Sequence, residues 1–307
     1  MSRLILIPLG LGAALLAAGA WLYTPDIPRA VLEAKYSVRP SDYLDVAGVR
    51  LHLRDTGPRA APAVIMLHGF GSSLQTWDHW AAGLAAHHRV IAYDLPGFGL
   101  TGTDPTGDYS DDRSVAVLLA LMDKLGIQRA SLIGNSLGGK IAWNFALQHQ
   151  DRVEKLVLVS PDGFASTGFD YEKTPSTPFI LKILPYVLPK FLLRLNINPA
   201  YGDPATLSDS VMTRYYDMML APGVRAATLA RISQVLLHDP ANLLPGIKVP
   251  VLLVWGEKDA MIPFSNSADY MRLLPHATLA PFPGLGHVPQ EEAPALSLGP
   301  VEAFLAT

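Results

Sequence analysis

Five short, nearly continuous apolar runs do most to limit what this chain can fold into: Ala63 to Leu67, Val90 to Tyr93, Ala130 to Ile133, Leu156 to Val159 and Val251 to Trp255. A strand covered on both faces has no wet side and reads as an unbroken apolar run. Between the runs lie stretches with helical spacing. In Ser114 to Leu125, for example, Val117, Leu118, Leu121 and Leu125 fall on one side. Alternating strands and helices predict an α/β fold, a mostly parallel sheet flanked by helices. Val49-Arg50-Leu51-His52-Leu53-Arg54 instead alternates apolar and polar, which predicts a half-exposed edge strand.

The alternation breaks between about Gly163 and Lys248. Prolines and aromatics gather there, and Thr177 to Ile197 reads as short apolar helical pieces with a few cations. This predicts an inserted helical cap over the sheet edge. The expected organisation is an anchor or signal segment over residues 1–24, a linker or short helix over 25–42, a core over 43–163 and 248–307, and the cap over 164–247.

Leu4 to Tyr23 contains no charged residue and, as a helix, would span roughly 30 Å, the thickness of a bilayer core. Trp21 and Tyr23 stand at its far end, where interfacial aromatics belong. The expectation is a single N-terminal membrane anchor. The alternative is a signal peptide cleaved near Ala18-Gly19-Ala20, leaving a secreted or periplasmic protein. Net charge is −3, so there is no electrostatic case for nucleic acid. The absence of cysteine excludes disulfides, thiolate metal sites and a cysteine nucleophile.

Gly134-Asn135-Ser136-Leu137-Gly138 joins the run Ala130 to Ile133 to a helix-like stretch, Gly139 to Gln148. A serine on such a sharp strand-to-helix turn is pushed clear of the backbone, and small neighbours let strand and helix approach. A serine nucleophile needs a base, and the base needs an orienting carboxylate. Asp259 follows the strand-like run ending at Trp255, and His287 closes Phe282-Pro283-Gly284-Leu285-Gly286-His287 after another strand-like stretch, Ala277 to Ala280. Both therefore belong at carboxyl ends of strands, where open α/β sheets place their sites. Charge developing on a carbonyl oxygen needs N–H donors. The candidates are the backbone groups of Phe70, in the glycine-bearing turn Leu67-His68-Gly69-Phe70-Gly71, and of Leu137 at a helix start.

The chain resembles the α/β-hydrolase family through His68-Gly69-Phe70-Gly71, Asp94-Leu95-Pro96-Gly97-Phe98-Gly99, Gly134-Asn135-Ser136-Leu137-Gly138-Gly139, Trp255-Gly256-Glu257-Lys258-Asp259 and Gly286-His287. The resemblance runs from about Tyr43 to the C-terminus. It implies Ser136 as nucleophile, His287 as base and Asp259 as its carboxylate, with no cofactor or metal. An apolar N-terminal segment before such a domain looks like the membrane-anchored monoacylglycerol lipase and esterase branch. The Gly-Asn-Ser at the nucleophile is also met in carbon–carbon hydrolases of aromatic degradation.

Other motifs read as structural. Gly97-Phe98-Gly99-Leu100-Thr101-Gly102 has the spacing of a dinucleotide loop, but the sequence continues as loop where a helix must start. Gly134 to Lys140 begins like a phosphate-binding loop, yet Ile141 replaces the required Ser or Thr. His68 reads as a loop-packing residue, His79, His87 and His88 as solvated, and Asp94 as a tie for its own loop. Asp162 is a lesser candidate for the triad acid, and Glu291 and Glu292 read as helix-capping or solvent-facing.

The expected function is hydrolysis of carboxylic esters through an acyl-enzyme on Ser136. The apolar cap and N-terminal segment point to small-molecule esters with lipidic acyl chains, such as monoacylglycerols, and to a membrane partner. The alternative is a carbon–carbon bond hydrolase of the meta-cleavage type, or a perhydrolase, using the same three residues.

Overall fold

The computed structural model describes residues 22–38, 42–165, 170–175 and 179–307. Eight strands form one sheet: β1 (Tyr43–Val46), β2 (Val49–Thr56), β3 (Ala63–Leu67), β4 (Arg89–Tyr93), β5 (Ala130–Asn135), β6 (Val153–Val159), β7 (Val251–Gly256) and β8 (Ala277–Phe282). Their order is β1-β2-β4-β3-β5-β6-β7-β8. The β1–β2 and β2–β4 pairs are antiparallel, and every pair from β4 to β8 is parallel. The five apolar runs supply β3 to β7, and β3, β4, β5 and β7 are buried along their whole length.

Each face of the sheet carries its own core. On one side Leu118 and Leu121 of the helix Asp111–Lys124 pack with Phe145 of the helix Leu137–Gln148. On the other, Trp77 and Trp80 meet Val301 and Leu305 of the C-terminal helix Pro294–Ala306. Burying side chains of this size contributes roughly 1.5–3 kcal/mol each.

The alternating segment Val49 to Arg54 is not an edge strand. β2 pairs on both sides, with β1 outside it, and His52 is fully buried. The polar residue is accommodated because Nδ1 of His52 lies 2.8 Å from Oδ2 of Asp94. Asp94 also accepts from the N–H groups of Leu74 and Leu100, each at 2.7 Å, so one carboxylate fastens three segments.

The helices Lys190–Ile197, Asp209–Met219 and Val224–Gln234 build the cap, with a core around Leu193, Met212 and Met218. The helix Arg29–Tyr36 joins that core through Leu32. The segment before it is tied in as well: Ile27 N–H donates to Leu220 at 2.8 Å, and Arg225 pairs with Asp26 at 2.6 Å. Part of the expected linker is therefore a packed element of the cap. The expected anchor falls on residues 1–24, of which 1–21 lie outside the described residues. Among those described, no helix is long and apolar enough to cross a membrane.

Candidate active site

Ser136 sits between β5 and the helix Leu137–Gln148 with φ 53° and ψ −117°. A residue with a side chain rarely adopts this backbone, and holding it there costs of order 1–3 kcal/mol. Its main chain is held on both sides. The Ser136 N–H donates to Val159 at 3.0 Å, and its carbonyl accepts from Lys140 and Asp162 at 3.0 and 3.1 Å. The flanking glycines are demanded by contact. A Cβ on Gly134 would strike the carbonyl of Gly138, and one on Gly138 would strike the carbonyl of Leu67.

His287 follows β8 and is 4% exposed. Its Nδ1 lies 2.8 Å from Oδ2 of Asp259, in the turn after β7. The other carboxylate oxygen of Asp259 accepts from the N–H groups of Met261 and Ile262 at 2.9 and 2.8 Å. Asp259 is thus fully engaged, and Nδ1 is the nitrogen that carries hydrogen toward it. This leaves Nε2 of His287 free to exchange a proton with a neighbour. Asp162, the lesser candidate for the triad acid, offers its main-chain carbonyl to Trp143 Nε1 and the Tyr270 hydroxyl.

Ser136, His287 and Phe70 line one cavity of about 460 Å³. Leu137 is the first residue of its helix, so its N–H has no partner within that helix and the helix dipole favours negative charge beside it. His68 holds the loop that carries Phe70. Its Nε2 accepts from the Leu95 N–H at 2.9 Å, so its Nδ1 donates to the Gly69 carbonyl at 2.7 Å. Burial pushes its pKa below the usual value, which keeps the ring neutral in this role. All five residues expected at the site therefore gather at the carboxyl edge of the sheet.

The remaining walls are mostly apolar and come largely from the cap, with Leu184, Val187, Leu188, Leu193, Ile197 and Met219, but Ser72, Asn196, Tyr215 and Thr228 also line the cavity. No Lys or Arg stands among the described residues that line the cavity.

Two arrangements escape sequence reasoning. The Asn135 side-chain amide donates to the Val159 carbonyl at 3.1 Å and to the His287 carbonyl at 3.0 Å. Glu291 and Glu292 face neither solvent nor simply a helix end. Glu291 pairs with Arg214 and accepts from the Tyr201 hydroxyl at 2.6 Å. Burial pushes the Glu291 carboxyl up, but Arg214 and its hydrogen bonds outweigh this and hold it below the usual range. Glu292 accepts from the main-chain N–H groups of Gly202, Asp203 and Gly286. The His287 N–H itself donates to the Ala200 carbonyl at 2.7 Å. The histidine loop is therefore stitched to the cap. The adjacent acids so soon after His287 were the one visible signal, and nothing local marked Arg214, 77 residues away, as the partner.

A family model described as the alpha/beta hydrolase fold matches residues 62–294. A 2-hydroxy-6-oxononadienedioate/2-hydroxy-6-oxononatrienedioate hydrolase of Comamonas testosteroni is 29% identical over 255 residues, covering 80% of this chain and 88% of that protein. An uncharacterized protein of Mycobacterium tuberculosis is 32% identical over 277 residues, covering 85% and 80%. Among solved structures, a meta-cleavage product hydrolase from Pseudomonas fluorescens aligns with TM-score 0.74 and 26% identity, covering 86% of this chain and 97% of that one. A bacterial membrane phospholipase A shares the fold with TM-score 0.75 and 24% identity, covering 100% and 98%.

Proposed function

This chain belongs to the alpha/beta hydrolase fold family, and from that premise we propose that it is a serine hydrolase acting on neutral carboxylic esters with apolar acyl chains. In this reading Ser136 Oγ attacks the ester carbonyl carbon while His287 Nε2 takes its proton. The N–H groups of Phe70 and Leu137 hold the oxyanion. The carbonyl re-forms, the alcohol leaves with the proton from His287, and the acyl group stays on Ser136. Water then gives a proton to His287 and its oxygen to the acyl carbon, releasing the acid and restoring the serine. Asp259 keeps the imidazole in the tautomer this exchange requires.

The observation that carries the choice of substrate is the cavity wall. It is mostly apolar, and no Lys or Arg stands among its described residues to meet a substrate carboxylate. An ionised carboxylate taken out of water into such a wall would lack a cationic partner.

Kinship pulls the other way. The named curated relatives are carbon–carbon bond hydrolases whose substrates, by their names, carry carboxylates. Similarity alone favours that second reading over the ester, and Gly134-Asn135-Ser136 agrees with it. In its favour Ser136, His287 and Asp259 would serve both reactions.

The deciding experiment sets p-nitrophenyl esters of increasing chain length beside a 2-hydroxy-6-oxo-dienoate. Ester turnover rising with chain length, and abolished by Ser136→Ala, is expected. Turnover of the dienoate with kcat/KM above that for any ester overturns the substrate assignment.

A further inference from the structure

The cap carries an unusual outer face beside the mouth of the cavity. Leu181, Ile183 and Leu192 both line the cavity and stand exposed to solvent, so they form its rim. Around them Tyr186, Phe191 and Leu195 are 63%, 64% and 62% exposed. Large apolar side chains grouped at a pocket mouth mark an interaction surface.

Charge is segregated on the same stretch. From Lys173 to Gly202 the sequence holds Lys173, Lys182, Lys190 and Arg194 and no carboxylate, in a chain whose net charge is −3. Lys173 and Arg194 do meet Asp170 and Asp209 from outside the stretch, but through solvent-exposed pairs that contribute little. Lys190 lies on the Thr213 hydroxyl.

The chain leads to this face. The uncharged stretch Leu4 to Tyr23 enters the described residues at Leu22 and Tyr23, both exposed. The next residue is fastened to the face: Thr24 N–H donates to the Tyr186 carbonyl at 2.8 Å, and its hydroxyl accepts from the Leu188 N–H at 3.2 Å.

We propose that this face of the cap docks on a lipid bilayer bearing anionic headgroups, so that the cavity mouth opens on the acyl layer and the ester enters from the bilayer. The inference rests on the ester reading above. Aromatic and aliphatic side chains enter the headgroup boundary, and the long cationic side chains reach back to the phosphates. Anionic lipid adds attraction for each Lys or Arg near the surface.

The test uses the full chain. Phe191→Glu with Leu195→Glu touches neither Ser136 nor the cavity wall. Hydrolysis of a long-chain fluorogenic ester in phosphatidylcholine vesicles containing phosphatidylglycerol is expected to fall at least tenfold, with soluble p-nitrophenyl butyrate turnover within twofold. An unchanged ratio of the two rates overturns the proposal. So does a concentration-dependent dimer, seen by sedimentation, that the double variant abolishes, because the face would then belong to a second copy.

The chain has no cysteine, so Leu195→Cys can carry an environment-sensitive fluorophore as a readout independent of activity. Its emission is expected to rise on the same vesicles and to be quenched by nitroxide-labelled acyl chains. The same label on exposed Glu302→Cys is expected to stay in water. Quenching without any ester turnover would sink the ester reading alone; turnover without quenching would sink the docking alone.

Discussion

The side-chain amide of Asn135 donates to the main-chain carbonyl of His287 at 3.0 Å, across 152 residues of sequence. The residue beside the proposed nucleophile therefore holds the backbone of the proposed base. A second donation, to Val159, fixes the amide itself.

Asn135→Ala leaves both carbonyls without this donor and frees the histidine loop. Misplacing a reacting group by about 1 Å costs on the order of 10² in rate. The expected result is a kcat lowered about a hundredfold, with KM little changed and the melting temperature down by a few degrees. Steady-state kinetics beside a thermal melt checks this. Full activity in the folded variant would show that the tie does not position His287.

Ser136→Gly and Ser136→Ala both remove the hydroxyl, but only glycine is at ease at φ 53° and ψ −117°. Both variants should be inactive on esters. The glycine variant should also melt higher than the alanine variant, by relief of about 1 kcal/mol or more of backbone strain. Calorimetry on the pair decides it, and equal melting temperatures would mean that the elbow stores no strain.

Arg214 and Glu291 couple the cap helix Asp209–Met219 to the turn after His287. Removing one partner of a buried pair costs about 3–5 kcal/mol, because the other charge is stranded. Arg214→Met and Glu291→Leu should each destabilise strongly. Together they should lose less than the sum, with a coupling of about 0.5–3 kcal/mol in denaturant melts. Strict additivity would remove the pair from the account of how the cap is held.

Two buried carboxyls give opposite pH dependences. Burial pushes the Asp162 carboxyl above its usual 3.8, with Lys140 opposing. The native state binds its proton more tightly than the unfolded chain, so Asp162 costs stability as pH rises above about 3.8. Asp162→Asn should therefore gain melting temperature over the parent at pH 7 and gain less at pH 4. Glu291 is held below its usual 4.5 despite burial, so its contribution is complete above that value and is lost as pH falls further. Melts of the parent beside Asp162→Asn across pH 3 to 8 read the first sign, and melts of the parent beside Glu291→Leu read the second. A difference that does not change with pH would contradict the Asp162 assignment.

Much of the fold is legible locally. The apolar runs became β3 to β7 because a strand covered on both faces must be apolar along its length. The spacing Val117, Leu118, Leu121 became a buried helix face because a helix that covers a sheet buries one side at the helical period. Val49 to Arg54 was misread as an edge because alternation records polarity and not neighbours. His52 is buried only because Asp94, 42 residues on, meets it. Glu291 and Glu292 were misread in the same way.

What the sequence by itself determined is the parallel strands β3 to β8, the two helices beside β5 and the order Ser136, Asp259, His287 at strand ends, since periodicity and turn chemistry are local and leave their mark in neighbouring residues. Only the tertiary structure decided which distant groups meet: Asn135 with His287, Arg214 with Glu291, and the cap side chains that make the cavity apolar. Those pairings depend on how cap and sheet pack in space, and a burial or an ion pair between residues far apart leaves no period for a local reading to detect.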